Sequence, residues 1–440
     1  MVGLGVAGEA AARRLAERGW SVVVMEDHPG PVSRSLALSL VERGVSTVQA
    51  PEMVALDALL AGTDLVVPSP PVPPSHPAVL RAVAKGIPVW SEFELAARWS
   101  TLPMVAVTGT NGKTTVTTLV EEMLRNSGHR TVSAGNNDLP LVDALADEAE
   151  LDVVVVEASS FRLCFTERFR PQVATWLNHA EDHLDWHGSM DHYVAAKARV
   201  WAAQETGDVA VANAEDPVVM AATVGLRSRV VTFGLERGNW RVDNGRLIMP
   251  DGDVLLRVGE LWRSLPHDVT NALAAAATAL AAGASVSGVR KALRDSRGLP
   301  HRVSLVVEHD GVRFYDDSKA TDPHAAVTAL AGFPSVVLIA GGRNKGLDLG
   351  LLAGEAARLR AVVAVGEASE EVQRAFDGTS VPVIPADSMD AAVAAARASA
   401  HPGDTVLLSP GCASYDWYSS YTERGDDFAR AVTESIGAHA

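Results

Sequence analysis

Cysteine is nearly missing from this 440-residue chain: only Cys164 and Cys412 occur, far apart. That excludes a disulfide framework and a cysteine-ligated zinc site, and it fits a reducing compartment. Positive charge is also in deficit, with 38 Lys and Arg against 54 Asp and Glu and a net charge of −16. A general nucleic-acid binder needs a basic face to displace counterions, so no nucleic-acid partner is expected. Anionic small ligands remain open, because they need only a local positive pocket. Long hydrophobic runs are lacking too. The most apolar segment, ALAAAATALAAGASV (272–286), is broken at Gly283 and too short and too weakly apolar to span a bilayer. The opening MVGLGVAG has no basic stretch and no long apolar one. No signal peptide and no membrane insertion are expected, and the cytoplasm is the expected compartment.

What the chain does have is alternation. Short β-branched runs such as SVVVME, MVAVTG, DVVVVEAS, VATWLN, SVVLIAGG and DTVLLS are separated by helical patterns almost throughout. That order predicts an α/β fold with mostly parallel sheets. The proline-rich PSPPVPPSHP (68–77) follows DLVV directly and reads as a stiff loop at a strand's end. Three glycine-rich strand ends, GLGVAG (3–8), TGTNGKTT (108–115) and AGGRNKG (340–346), divide the sequence. They suggest three α/β domains, at 1–99, 100–297 and 298–440.

GLGVAG matches G-x-G-x-x-G, a helix pattern follows, and Glu26 and Asp27 close the next strand about 20 residues on. The context is that of a nucleotide on a helix N-terminus, although only Met1 and Val2 precede Gly3. A tight strand–helix turn without a ligand is the alternative.

VAVTGTNGKTT follows an apolar strand and precedes a helix. Gly109, Thr110, Asn111, Gly112, Lys113, Thr114 and Thr115 form the end of a phosphate loop. In such loops backbone N–H groups cradle phosphates, the lysine reaches the β/γ oxygens and the hydroxyl binds Mg2+. The pattern departs from G-x-x-x-x-G-K-[ST], since Val107 stands six before Lys113. A phosphate loop needs an acid at a neighbouring strand end, and LDVVVVEASSF supplies Glu157. A third stretch, EDHLDWHGSMDHYVAAK (181–197), spaces His183 and His187 as a zinc-binding helix would. Gly188 interrupts that helix, which leaves His187 and His192 as loop or surface residues.

TGTNGKTT, EASSF, LN-x-x-EDHLD, YVAAK, HRV, DDSKAT and SPGCAS–D occur in one order over nearly the whole chain. In this the sequence resembles the Mur ligases, ATP-dependent amide-forming enzymes of peptidoglycan precursor synthesis. GLGVAG, DLVVPSP, GN at 135–136, DSKAT and SPGCASYD point to the branch that adds D-glutamate to UDP-N-acetylmuramoyl-L-alanine. The resemblance implies an N-terminal Rossmann-like domain for the uridine nucleotide, a central P-loop ATPase-like domain, a C-terminal Rossmann-like domain for the amino acid, and a monomer. It implies ATP, two Mg2+ ions, and CO2 held as a carbamate on a lysine.

Carried over residue by residue, Lys113 would hold the β/γ-phosphates, Thr114 and Glu157 one Mg2+, and His183 and Lys197 the other, Lys197 as the carbamate. Asn271, Arg302 and Asp317 would contact the nucleotide, and Lys319 the reacting groups. Gly5, Val6, Ala7, Glu26 and Ser69 would face the uridine diphosphate. Asn136 and Ser159 would meet the substrate in the central domain, and Thr321, Lys345, Ser414 and Tyr421 the amino acid. The chain departs from the family pattern at Asn137 and Asp138 (GNND for GNIG), Arg162 (usually glutamine), Ala180 (threonine), Asp268 (asparagine) and Asn344 (aspartate). A nicotinamide oxidoreductase would leave GKTT, Glu157 and DSKAT idle, and a P-loop binding module would leave the C-terminal domain without a task. A sister ligase adding another amino acid is the nearest rival.

Overall fold

Uninterrupted runs of Val, Ile and Ala make strands that can be covered on both faces, and such strands pair in parallel. This computed structural model describes residues 1–49, 53–136 and 139–437. The chain divides into two compact units, Met1–Trp262 with Val269–Ser296, and Arg263–Asp268 with Arg297–Ala440.

In the first unit β1 (Val23–Glu26) and β2 (Ser46–Gln49) pair in parallel. At the chain start and in DLVV there are only isolated bridges, Val2 with Pro68 and Met25, and Val66 with Val89. Val2 still exchanges backbone hydrogen bonds with Val67 (2.9 Å) and Ser69 (2.8 Å), which seats the glycine loop. The helix Val6–Glu17 follows that loop.

The larger sheet of this unit comprises β3 (Met104–Thr108), β4 (Thr131–Gly135), β5 (Val153–Glu157), β6 (Val173–Trp176), β7 (Val209–Asn213) and β8 (Arg229–Phe233). Its order is β4-β5-β3-β6-β7-β8, all parallel. Side chains alternate across it as the pleat requires. Val105, Val107, Val153 and Val155 meet the helices Lys113–Asn126, Pro266–Ala281 and Val286–Asp295 on one face. Ala106, Val154 and Val156 meet Ala10–Ala12, Phe93, Leu163 and Trp201 on the other. The alanine-rich segment is therefore a core helix: Ala272, Ala274, Ala275, Ala276 and Ala279 are fully buried. A small antiparallel meander of β9 (Arg241–Asp243), β10 (Arg246–Ile248) and β11 (Val254–Arg257) completes the unit.

The second unit holds β12 (Ser304–His309), β13 (Val312–Asp316), β14 (Val336–Gly341), β15 (Leu359–Val365), β16 (Val383–Ala386) and β17 (Thr405–Leu408), in the order β12-β13-β17-β14-β15-β16. Only β12 is antiparallel to its neighbour. Among the described residues no helix is long and apolar enough to cross a membrane.

Candidate functional site

In the first unit the residues of interest gather at the C-terminal ends of β3, β5 and β6, where open α/β sheets bind ligands. After β3 the backbone turns at Gly109 (φ +157°) and Gly112 (φ +86°), the second being the N-cap of the helix Lys113–Asn126. Only glycine takes such an angle without strain. Space demands glycine at 112 as well, since a Cβ there would lie 2.7 Å from Asn271 Oδ1. Asn271 thus packs directly on the phosphate loop.

Asn178, at the end of β6, braces the loop from the other side. Its Oδ1 accepts from Asn111 N (2.9 Å) and its Nδ2 donates to Asn111 O (3.1 Å). Thr110 Oγ1 donates to Ala180 O (3.2 Å) and accepts from Ala180 N (3.0 Å), and it lies 3.2 Å from Tyr193 OH. Asn178 and Tyr193 stand in the motifs LN-x-x-EDHLD and YVAAK, but neither was given a role from the sequence. The signal was there, in an amide two residues beyond the strand VATW and in a tyrosine one helical turn before Lys197.

Two lysines converge on one carbonyl of this loop. Lys113 Nζ donates to Gly109 O (2.9 Å) and Thr110 O (2.8 Å), and Lys197 Nζ donates to the same Gly109 O (2.7 Å). Lys197 is 1% exposed and its Nζ lies 4.5 Å from the centre of the Tyr193 ring. Burial, reinforced by the charge of Lys113, holds its pKa well below the usual lysine range. Its helix, Met190–Ala202, is capped by Ser189, whose side chain accepts from His192 N.

Glu157 ends β5 at 3% exposure, as the sequence suggested. Its Oε1 accepts from Asn136 Nδ2 (3.0 Å), and Asn136 Oδ1 accepts from Arg162 Nη1 (3.0 Å). Arg162 Nε donates to Glu92 Oε1 (3.3 Å), and both side chains are buried. Glu92 also accepts from Leu141 N and Val142 N, at the start of a short helix. Arg162 is therefore the centre of a chain from Glu92 to Glu157. Ser159 caps the turn that carries Arg162. Asn137 and Asp138 lie outside the described residues.

His183 precedes the short helix Leu184–His187 as its N-cap, with φ +55°. Its Nε2 lies 3.1 Å from Asp182 Oδ2, and its ring packs edge-on to Phe161 at 4.7 Å. His187 is not a surface residue. It is buried, its Nε2 lies 2.9 Å from Ser160 Oγ, and burial lowers its pKa to about 4. Rings of Phe161, Trp186 and Tyr193 surround it, and their apolar area explains the burial. His192 is exposed. Among the described residues no three His, Cys, Asp or Glu side chains converge as a metal site. The proline loop closes over this stretch, with Trp186 Nε1 donating to Pro71 O (3.1 Å).

Around the first glycine loop, Ser69 lies against Gly5 and Gly8, and a Cβ on Gly8 would come 2.8 Å from Gly3 O. The Glu26 carboxylate accepts from Leu4 N (2.7 Å) and His28 N (3.0 Å), so it ties the loop to the end of β1. Val6 is exposed and Ala7 buried at the helix start.

In the second unit the strand ends again carry the candidates. Gly411 N donates to Ala320 O (3.0 Å), and Arg343 and Ala413 exchange backbone bonds (2.8 and 3.0 Å). These bonds stitch the loops of Thr321, Lys345 and Ser414 together. Lys319 Nζ lies 3.7 Å from the centre of the Tyr421 ring. A buried arginine missed in the sequence, Arg424, donates to Ser318 Oγ (2.9 Å), Ser318 O (2.7 Å) and Cys412 O (3.1 Å). Asn344 donates to Glu371 Oε2 (2.7 Å), which an aspartate at that position could not do. Asp268 is paired through both oxygens with Arg263.

Asp317 is buried. Its carboxyl accepts from Val303 N (3.2 Å) and Ser409 Oγ (2.7 Å), and burial raises its pKa to about 7. The folded chain therefore holds a proton that the unfolded chain has released between pH about 4 and 7. The group's contribution to stability is full below pH about 4 and is lost as pH rises through 7. Asp317→Asn keeps the bond from Val303 N, reverses the other so that its amide donates to Ser409 Oγ, and removes the titration. Thermal midpoints measured from pH 4 to 8 should fall less steeply in the variant; parallel profiles would refute the assignment.

Residues 107–279 match the family described as Mur ligase middle domain, and residues 301–412 match Mur ligase, glutamate ligase domain. The UDP-N-acetylmuramoylalanine–D-glutamate ligase of Frankia casuarinae is 45% identical over 451 residues, 99% of this chain and 94% of that protein. That of Desulfosudis oleivorans is 42% identical, covering 100% and 97%. A crystal structure of MurF from Acinetobacter baumannii superposes with a TM-score of 0.63 at 19% identity, over 95% of this chain and 92% of that one, a likeness of fold.

Proposed function

The chain belongs to the Mur ligase family, and from that premise we propose that it joins D-glutamate to UDP-N-acetylmuramoyl-L-alanine with cleavage of ATP to ADP and phosphate. The observation that carries the chemistry is the pair Lys113 and Lys197 on Gly109 O, on a phosphate loop whose neighbouring strand ends in the buried Glu157. The nearly full-length similarity to D-glutamate ligases favours that amino acid over a sister ligase's.

The alanyl carboxylate takes the γ-phosphoryl group and becomes an acyl phosphate. The amine of D-glutamate attacks its carbonyl carbon, and phosphate leaves from the tetrahedral intermediate. Two anions must meet in the first step, so cations must sit where the charge builds up. Lys113 and the helix N-terminus would hold the nucleotide phosphates. Thr114 and Glu157 offer the hard oxygen donors that suit Mg2+, and Asn136 orients the carboxylate. Bound Mg2+ supplies charge neutralisation between carboxylate and phosphate.

His183 and Lys197 would serve a second ion. Burial favours the neutral form of the Lys197 amine, the form that would add CO2, lose a proton and become an anionic carbamate. The glycine loop with Ser69 would take the uridine diphosphate. Lys319, Thr321, Lys345, Ser414 and Tyr421 would take the amino acid, and Arg302 and Asp317 the nucleotide. We read the chain as three functional domains in a cytoplasmic monomer.

The test is direct. With UDP-N-acetylmuramoyl-L-alanine, ATP and Mg2+, phosphate should be released on adding D-glutamate and not on adding L-glutamate, L-alanine or L-lysine. Release that ignores the amino acid, or none with D-glutamate, overturns the reading.

A further inference from the structure

The turn that carries Arg302 is held in an unfavourable shape. His301 (φ +59°) and Val303 (φ +50°) flank it, both left-handed and neither a glycine. For a β-branched residue such an angle is a true outlier, and it persists only where the surroundings impose it. The surroundings are specific. Arg263 Nη1 donates to both carbonyls at the outlier, Arg302 O (3.0 Å) and Val303 O. Arg263 is aimed by Asp268, whose two oxygens accept from its Nε and Nη2 (2.7 Å for the latter). Asp268 is 2% exposed. Val303 N donates to Asp317 Oδ1 (3.2 Å), and His301 Nδ1 lies 2.6 Å from Asp316 Oδ2. The helix Tyr421–Gly437 leaves no slack, because a Cβ on Gly425 would fall 2.2 Å from His301 Nδ1.

We propose that Arg263 and Asp268 are a positioning pair that clamps the backbone of Arg302 and so sets its guanidinium for the nucleotide. The inference rests on the reading of Arg302 as a nucleotide contact. It also accounts for Asp268, a departure from the family's asparagine: the carboxylate is there to aim an arginine. Neither residue need touch the nucleotide.

Two variants separate positioning from mere stability. Arg263→Lys keeps the buried charge pair, but one ammonium cannot serve a carboxylate and two carbonyls at once. The double variant Arg263→Met/Asp268→Asn removes both charges and keeps the volume. Both should fold, with circular dichroism like the parent's. Both should bind a non-hydrolysable ATP analogue with Mg2+ on the order of ten- to a hundredfold more weakly by calorimetry, the scale of a slightly misplaced binding group. KM for ATP should rise with it, while KM for D-glutamate stays unchanged. Folded variants with the parent's analogue affinity overturn the proposal, as does a KM for D-glutamate that rises equally. If the unaltered protein lacks D-glutamate-dependent phosphate release, the functional reading falls instead, and the two failures are distinct.

Discussion

Lys197→Met is expected to lower D-glutamate-dependent phosphate release on the order of a thousandfold, the scale of losing a group that stabilises transition-state charge. Stability should move the other way. Lys197 sits at 1% exposure against Gly109 O and the Tyr193 ring, beside a second lysine. An amine in such a place resists protonation, whereas in the unfolded chain it protonates freely. Its lowered pKa therefore weakens the fold as pH falls below the ordinary lysine range. Methionine fills similar volume and carries no charge to bury. Thermal midpoints at pH 6 should be equal or higher in the variant. Lys197→Ala should regain part of its activity in millimolar acetate or formate, anions small enough to occupy the space of a carbamate. A fully active alanine variant, or a methionine variant less stable than its parent, would show that the lysine has a different role.

Arg162→Met carries the second large effect, on stability. It strands Glu92, which is buried at 3% exposure and accepts from Leu141 N, Val142 N and Arg162. Burial already pushes the Glu92 carboxyl up and the Arg162 guanidinium down, so each charge is offset by the other where water is excluded. Breaking a buried pair at one end costs about 3–5 kcal/mol. Replacing both partners is much milder, so Glu92→Gln/Arg162→Gln should recover most of the loss. Activity should fall further than stability predicts, because Arg162 also fixes Asn136, which orients Glu157. Urea and thermal unfolding of the two variants decide the matter. A double variant as unstable as the single one would sink the pairing argument.

The parts legible in the sequence were those whose chemistry is local. TGTNGKTT forms its loop because Gly112 must be left-handed just before a helix, and neighbouring residues declare that. Glu157 ends a strand of four valines, and β5 could hardly have been read otherwise. Arg162 and Glu92 pair across 70 positions, and nothing at either end announces the other. Lys197 lies in AAKAR, a pattern that reads as solvent-facing, and its burial is a tertiary fact. His187 misled for the same reason in part, since Ser160 and Phe161, on another segment, contribute to its cover. The clamp on Arg302 joins 263–268 to 301–303, and a departure from a family pattern was its only sequence trace.

The contact between Gly112 and Asn271 has a consequence for the order of events at the ribosome. The phosphate loop is synthesised early, but the helix Pro266–Ala281 that presses on it is made long afterwards, after β8 and the whole meander. Until that helix emerges, β3 and the helix Lys113–Asn126 have one bare apolar face. The nascent chain thus carries an unfinished glycine loop through much of its synthesis, and a protein cut short before residue 269 should be recovered as aggregate or chaperone-bound polypeptide.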